Sequence, residues 1–387
     1  MSQPVVAVSP KGAARWRDGH PWIFRSDTVP ARHPAGIVRV EDRRGKFLGQ
    51  ALWSPRSEIR LRLLSAYEDP IDGAWWERQL QAANAARSRA RESSSAYRVV
   101  HGEGDGLPSL VVDRYGEIVV AQLLSAGLEQ CRSEILAAIE VVLQPSGILL
   151  RNDASVRRHE GLGLEVVEAA GKVPETVEVR EGSVRYQVVP RTGQKTGAFL
   201  DQRENRLRMA RFARGRALDL FTYHGLFALH LARSSSRVLA VDSSGPALDT
   251  ARENARLNGI SNIDWQEANV FDLLRELEDG RERFDTIILD PPAFAKRRDA
   301  VERALTGYKD INLRAMRLLA PGGVLYTASC SFHVGRNAFM EMLVSAAADS
   351  GRRLVVEEML SQGSDHPEVI TIPETGYLKG AILRATS

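Results

Sequence analysis

The sequence predicts an α/β protein whose C-terminal half is a doubly wound parallel sheet, preceded by a small β-barrel and an α+β linking domain. Three observations predict it. Residues 1–73 are short apolar runs broken by Gly and Pro; residues 74–185 read as a helix followed by β-β-α-β-β; residues 186–387 alternate strand with helix. Strands that alternate with helices form a parallel sheet covered on both faces.

In the first part, PVVAVSP, PWIF, GIVRVED, GKFLGQALW and EIRLRLL have the length and turn punctuation of barrel strands. The amphipathic helix DGAWWERQLQAANAARSRARE opens the second part. PSLVVDRYG and EIVVAQLL follow as strands, then the helix LEQCRSEILAAIEVVL, then the strands GILLRND and VEVREGSVRYQVV. In the third part the strands are RALDLF, RVLAVD, IDWQEANV, FDTIILD and GGVLYTAS, and LVVEEML and YLKGAILRA close the far edge. PALDTARENARLNG is one of the helices between them, stopped by Gly259. Ahead of the first of these strands, RTGQKTGAFLDQRENRLRMARFARG joins a Gly-rich loop to an Arg-rich helix with Asp201 as its N-cap. That loop is placed to cover a cofactor and those arginines to face RNA; the alternative is a plain surface helix.

Hydrophobic residues make up 43% of the chain and no run approaches 18 apolar residues, which argues for a soluble globular protein and against a membrane span. MSQPVVAVSPKGAARW lacks the apolar core and small-residue cleavage site of a signal peptide. Two cysteines, Cys131 and Cys330, make neither a disulfide framework nor a metal knuckle, so no metal centre is expected and the default setting is cytoplasmic. The net charge of +3 says little. Its distribution says more: 12 Lys and Arg against 8 Asp and Glu up to Gly73, and 8 against 2 between Arg191 and Arg216. Such stretches are either a phosphate-binding footprint or a solvated face.

The strand ends carry the chemistry. The first strand of the third part ends in LDLFTYHG, with Asp219 and Gly225 bracketing a turn. Asp242 ends the next strand, 17 residues after Gly225, where an acid accepts from a ribose diol. Asn269 follows the third strand and is placed to meet an adenine edge. Asp290 begins the D-P-P turn after the fourth, and Cys330 follows the fifth. No G-x-G-x-x-G is present, so no pyrophosphate cradle is visible. Two prolines hold the D-P-P turn rigid and extended and present Asp290 to a planar substrate. A ribose acid, an adenine contact and D-P-P on this fold suit S-adenosylmethionine and methylation of a nucleobase, against the plainer reading of a generic nucleotide-binding domain.

Cys330 then has two readings. It is a small buried residue, or it is a thiolate that adds to carbon 6 of a pyrimidine so that carbon 5 becomes nucleophilic enough to take a methyl group. Asp290 would hydrogen-bond the ring N3 and exocyclic amine of a cytosine. Cys131, inside an amphipathic helix, is read as structural. Trp22 and Phe24 in RDGHPWIF sit beside basic residues, as in stacking sites for nucleic acid, or they belong to the barrel core.

Taken together, HPWIF, WSPRSEIRLRLL, YRVVHGEGDGLPSLVVDRYG, QKTGAFLDQRENR, FTYHGLFAL, LDPPAF, GYKDINLRAM, YTASCS, DHPEV and GYLKG span nearly the whole chain. They resemble the PUA-domain-containing bacterial class I 23S ribosomal RNA cytosine-C5 methyltransferase family. The resemblance implies a PUA-like domain over 1–73, a central domain over 74–185 and a Rossmann-like S-adenosylmethionine-dependent methyltransferase domain over 186–387. It implies catalysis by Cys330 with Asp290. It places Lys195, Thr196, Phe199, Asp219, Tyr223, Gly225, Asp242, Ser243, Asn269, Val270 and Asp290 around the cofactor. Pro291, Pro292, Phe294, Arg15 and Trp22 would meet the substrate, 23S rRNA, and homodimers occur in the group. Two positions depart from the pattern: Leu226 stands where a second glycine is usual, and Asn269 where an Asp is expected. The group that takes the carbon-5 proton is open between Asp290 and a water. Methylation of uracil C5 or a guanine nitrogen, and a non-catalytic RNA-binding assembly factor, are the competing functions.

Overall fold

The computed structural model describes residues 3–295 and 297–386. They cluster into two compact units. One holds the chain up to Val179 with Val188–Leu200 and Ser364–Thr375; the other holds Arg180–Gln187, Asp201–Gly363 and the chain from Gly376 onward.

The first unit begins with β1 (Val5–Val8), α1 (Pro10–Arg17), β2 (Trp22–Phe24), β3 (Gly36–Asp42), β4 (Phe47–Trp53) and β5 (Ile59–Ser65). The five strands form one sheet in the order β1-β3-β4-β5-β2, with β1 parallel to β3. The intervening helix α1 was not expected from the strand pattern. It starts because Ser9 Oγ accepts from the Gly12 N–H at 3.1 Å and Pro10 sits in its first turn, where no donor is needed. Val6, Val8, Ile23, Val38, Val40, Trp53 and Leu61 close the core of this part.

The unit continues with α2 (Gly73–Ala85), α3 (Ser88–Ser93), β6 (Ala96–His101), β7 (Leu110–Tyr115), β8 (Ile118–Leu123), α4 (Ala126–Glu129), α5 (Arg132–Leu143), β9 (Gly147–Asn152), α6 (Val156–His159) and β10 (Glu165–Gly171). The second sheet runs β10-β9-β8-β7-β6, and β8 is parallel to β9 because α4 and α5 carry the chain back. Two details correct the sequence reading. β6 and β10 supply the sheet's edges, whereas VEVREGSVRYQVV folds on itself as a two-stranded hairpin, β11 (Val177–Glu181) with β12 (Val184–Val188), turning at Gly182 with φ +56°. The helix drawn through Cys131 is two helices, and Cys131 is the buried residue at their junction. The two sheets pack directly. Leu52 belongs to the second core, a Cβ on Gly127 would lie 2.9 Å from that of Leu52, and buried Arg62 donates to buried Glu160 at 2.9 Å.

The second unit contains α7 (Arg203–Met209), β13 (Arg216–Leu220), α8 (Leu226–Ala232), β14 (Arg237–Asp242), α9 (Gly245–Leu257), β15 (Ile263–Glu267), α10 (Val270–Asp279), β16 (Phe284–Leu289), α11 (Val301–Arg317), β17 (Leu319–Ser329), α12 (Arg336–Ser350), β18 (Leu354–Leu360) and β19 (Lys379–Ala385). Its sheet runs β15-β14-β13-β16-β17-β19-β18. The first five strands are parallel, and β19 inserts antiparallel between β17 and β18. The strand order reverses at β13, between β14 and β16, so the open crevice lies at the C-terminal ends of these strands.

The Arg-rich helix differs from expectation. Asp201 does not cap α7; its Oδ2 accepts from the Tyr377 hydroxyl at 2.8 Å, and the cap position is Gln202. Nor do the arginines form one outward row. Arg203 and Arg206 are 0% and 2% exposed. Arg206 binds both oxygens of Glu181 at 2.6 Å, and His230 Nε2 lies 3.0 Å from the same carboxylate. Burial alone would raise the Glu181 pKa, but Arg206 and His230 outweigh it and hold it at about 2. The basic stretch is therefore partly structural.

Candidate active site

β13 delivers Asp219 to the crevice, 1% exposed. The chain then turns sharply: Phe221, Tyr223 and Gly225 all have positive φ, at +63°, +50° and +78°. Gly225 is required twice over, by its φ and because a Cβ there would lie 2.6 Å from the Trp265 ring. The turn aims the Thr222 hydroxyl and the Ala228 N–H at Asp219 Oδ2, while Asp219 Oδ1 is buried with no hydrogen-bond partner among the described residues. Burial, then the nearby Asp290 and Asp242 carboxylates, push Asp219 up to about 7. Asp242 ends β14 and accepts from Tyr223 N at 2.9 Å and from Ser244 N at 3.0 Å, with Ser243 exposed beside it.

Asn269 is exposed and caps α10, its Oδ1 accepting from Phe271 N at 2.9 Å. One lone pair of that carbonyl is thus already in use. The Val270 side chain is buried in the core, which leaves its backbone for any contact in the crevice.

Asp290 follows β16. Gln202 Nε2 donates to its Oδ1 at 2.8 Å, and Gln202 is itself oriented through its Oε1, which accepts from Tyr326 Oη at 2.8 Å and Asn205 Nδ2 at 2.6 Å. Pro291 is buried and Pro292 exposed. Cys330, just past β17, points its Sγ at the Pro291 carbonyl at 3.9 Å, so thiol and D-P-P turn share one rim. Ser331 pins that turn: its Oγ accepts from Ala295 N at 3.1 Å and meets Tyr308 Oη at 2.9 Å. Phe294 packs on Tyr308, ring centroids 4.6 Å apart, and faces Phe271 at 5.9 Å. Lys379, 5% exposed, donates from Nζ to the carbonyls of Ser331 at 2.7 Å and Tyr377 at 2.8 Å. Gln202, Asn205, Tyr326, Ser331 and Lys379 escaped the sequence reading as site residues. The quoted DQREN and GYLKG carry three of them, but nothing local says which way they point.

The remaining sequence candidates lie in the first unit. Lys195 has φ +55° and is exposed, with Nζ 4.8 Å above the Phe199 ring. Thr196 is 1% exposed, and its hydroxyl donates to Asp113 at 2.5 Å and accepts from Tyr115 Oη at 2.8 Å. Its side chain is a structural tie, and only its backbone could face a ligand. On β2, Ile23 enters the core while Trp22 and Phe24 point away from it, so neither is a core residue. Trp22 Nε1 donates to Glu103 at 2.9 Å, and the Arg15 guanidinium covers the Phe24 ring at 4.7 Å.

Three carboxylates gathered at the strand ends, Asp219 with an orphaned buried oxygen and a pKa raised by burial and by the other two, fit a cationic ligand such as the sulfonium and ammonium groups of S-adenosylmethionine. Among the described residues no cluster of His, Cys, Asp or Glu suits a metal ion, and no helix is long and apolar enough to cross a membrane.

Comparison with known proteins gives the same picture. Residues 6–66 match the PUA-like domain family and residues 101–383 match the S-adenosylmethionine-dependent methyltransferase family. The chain is 40% identical to the ribosomal RNA large subunit methyltransferase I of Erwinia tasmaniensis, over 94% of this chain and 95% of that protein. It is 40% identical to the Tolumonas auensis protein of the same name, over 95% of each. A solved S-adenosylmethionine-dependent methyltransferase from Streptococcus mutans superposes with a TM-score of 0.82 at 20% identity, covering 98% of this chain and all of that one. The chain thus belongs to the family of S-adenosylmethionine-dependent methyltransferases that carry a PUA-like domain and include the ribosomal RNA large subunit methyltransferases I.

Proposed function

We propose that this protein methylates carbon 5 of a cytosine in 23S rRNA, using Cys330 as nucleophile and S-adenosylmethionine as methyl donor. The observation that carries the reading is the 3.9 Å approach of the Cys330 thiol to the Pro291 carbonyl, next to Asp290. The relatives named for large-subunit rRNA methylation support the RNA class. Bound S-adenosylmethionine supplies an electrophilic methyl group beside the target base. Asp219, Tyr223, Gly225, Asp242, Ser243, Asn269 and Val270 would hold it.

The chain's own residues do the rest. The Cys330 thiolate forms a bond to carbon 6, and the ring's double-bond electrons make carbon 5 nucleophilic. Asp290 in its acid form gives its proton to N3 as the thiolate adds and accepts from the exocyclic amine, which neutralises the adduct and leaves a free carboxylate. After methyl transfer the carbon-5 proton passes to Asp290 or a water, and the electrons left behind expel the thiolate. Pro291, Pro292 and Phe294 shape the base site. Arg15 and Trp22 belong to an RNA-docking PUA-like part, residues 1–73, ahead of a central part, 74–185, and the methyltransferase part, 186–387. A homodimer acting in the cytoplasm completes the reading.

The test is methylation of large-subunit RNA with labelled cofactor, followed by nucleoside mass analysis. 5-Methylcytidine is expected, together with no transfer by Cys330→Ala that still binds the cofactor. Methyl on another base, or an active Cys330→Ala protein, overturns the proposal.

A further inference from the structure

Lys379 is a buried cation without a carboxylate. The register of β17 and β19 sets it opposite Ser329, and among the described residues its ammonium donates to two neutral carbonyls, those of Ser331 and Tyr377. No ion pair involves it among the described residues. An ammonium taken out of water without an anion is costly, so such a site either sheds its proton or awaits a negative charge. The charged and titratable groups facing it are few: Cys330 at the end of β17, whose charge favours the ammonium, and Arg336 at the start of α12, which opposes it. Burial first, and then the Cys330 charge, raise the Tyr308 pKa on α11, so its phenol stays protonated.

We propose that Lys379 is the activating partner of Cys330, a positioning residue that accepts the thiol proton and holds the resulting thiolate against its ammonium. The proposal rests on the reading of Cys330 as nucleophile. The step is balanced: the S–H bond breaks, its electron pair stays on sulfur, and the proton joins the lone pair of the Lys379 amine. The same charge stabilises the thiolate again when it leaves carbon 6, so one residue serves both attack and release. Burial holds Lys379 at about 8, which makes both protonation states accessible near neutrality.

The test is the rate of iodoacetamide alkylation of the full-length protein against pH, with the modified peptide read by mass. Cys131 is an internal silent thiol, because burial pushes it up to about 12. The Cys330 midpoint is expected below the value of a free cysteine, about 8.5. In Lys379→Met it is expected to rise by at least about one pH unit, a roughly tenfold slower reaction at pH 7, and Lys379→Arg is expected to restore it. A wild-type midpoint at or above that of free cysteine overturns the proposal without any variant. So does an unchanged midpoint in a Lys379→Met protein that still binds S-adenosylmethionine. Failure of the cysteine reading is recorded separately, by methyl transfer in Cys330→Ala.

Discussion

Gln202 and Asp290, 88 residues apart, are joined by a 2.8 Å hydrogen bond from the amide Nε2 to the carboxylate Oδ1. Because the Gln202 carbonyl is held by Tyr326 and Asn205, the amide cannot flip without leaving buried donors unpaired. The pose of Asp290 is thus set from behind the strand that carries it.

Gln202→Ala is expected to lower the rate of methyl transfer while leaving cofactor binding nearly intact. Losing a hydrogen bond to a charged group is worth about 1.5–3 kcal/mol, or roughly ten- to a hundredfold in rate. Single-turnover transfer under saturating cofactor measures it, and an unchanged rate would remove Gln202 from the site.

Asp219 makes the cofactor-free protein sensitive to pH. Its folded value of about 7 lies above the ordinary carboxylate value. The folded state therefore binds this proton more tightly than the unfolded chain, and the stability it confers is full below about pH 4 and lost as pH rises toward 7, at up to about 1.4 kcal/mol per unit. His224 acts oppositely, since burial lowers it to about 4 and its stability is lost as pH falls below the ordinary histidine value. Comparing wild type with Asp219→Asn by thermal melts from pH 4.5 to 7 cancels the histidine term. Parallel curves would contradict the assignment.

Breaking the Glu181–Arg206 pair is expected to cost about 3–5 kcal/mol, because the partner is left charged and buried. Urea denaturation of Glu181→Ala and Arg206→Ala reads this directly. A loss below 1 kcal/mol would mean that water reaches the survivor.

Cys131→Ala is expected to leave methyl transfer unchanged, in contrast to Cys330→Ala. The Cys131 thiol is buried, donates weakly to the Gly127 carbonyl at 3.8 Å and packs in the central core. Loss of transfer in a folded Cys131→Ala protein would assign that thiol a role it lacks here.

Gly225→Ala is expected to abolish cofactor binding or folding, since the new Cβ meets Trp265 at a positive φ. Normal S-adenosylmethionine affinity measured by calorimetry would show that the turn can yield.

The chain by itself determined the strand–helix alternation and the placement of Asp219, Asp242, Asp290 and Cys330 at strand ends. Those features are local: apolar runs, a Gly or Pro–Pro stop, and a polar residue at the boundary. Tertiary structure decided what no local pattern encodes. It turned Arg203 and Arg206 inward, drew Asp201 to Tyr377 instead of α7, and separated the 177–188 hairpin from the sheet before it. It also inserted β19 antiparallel beside β17, which brings Lys379 to Cys330 across 49 residues of sequence. Strand order in a sheet is settled by which apolar faces can be buried together, and a buried charge is assigned its partner only once that order exists.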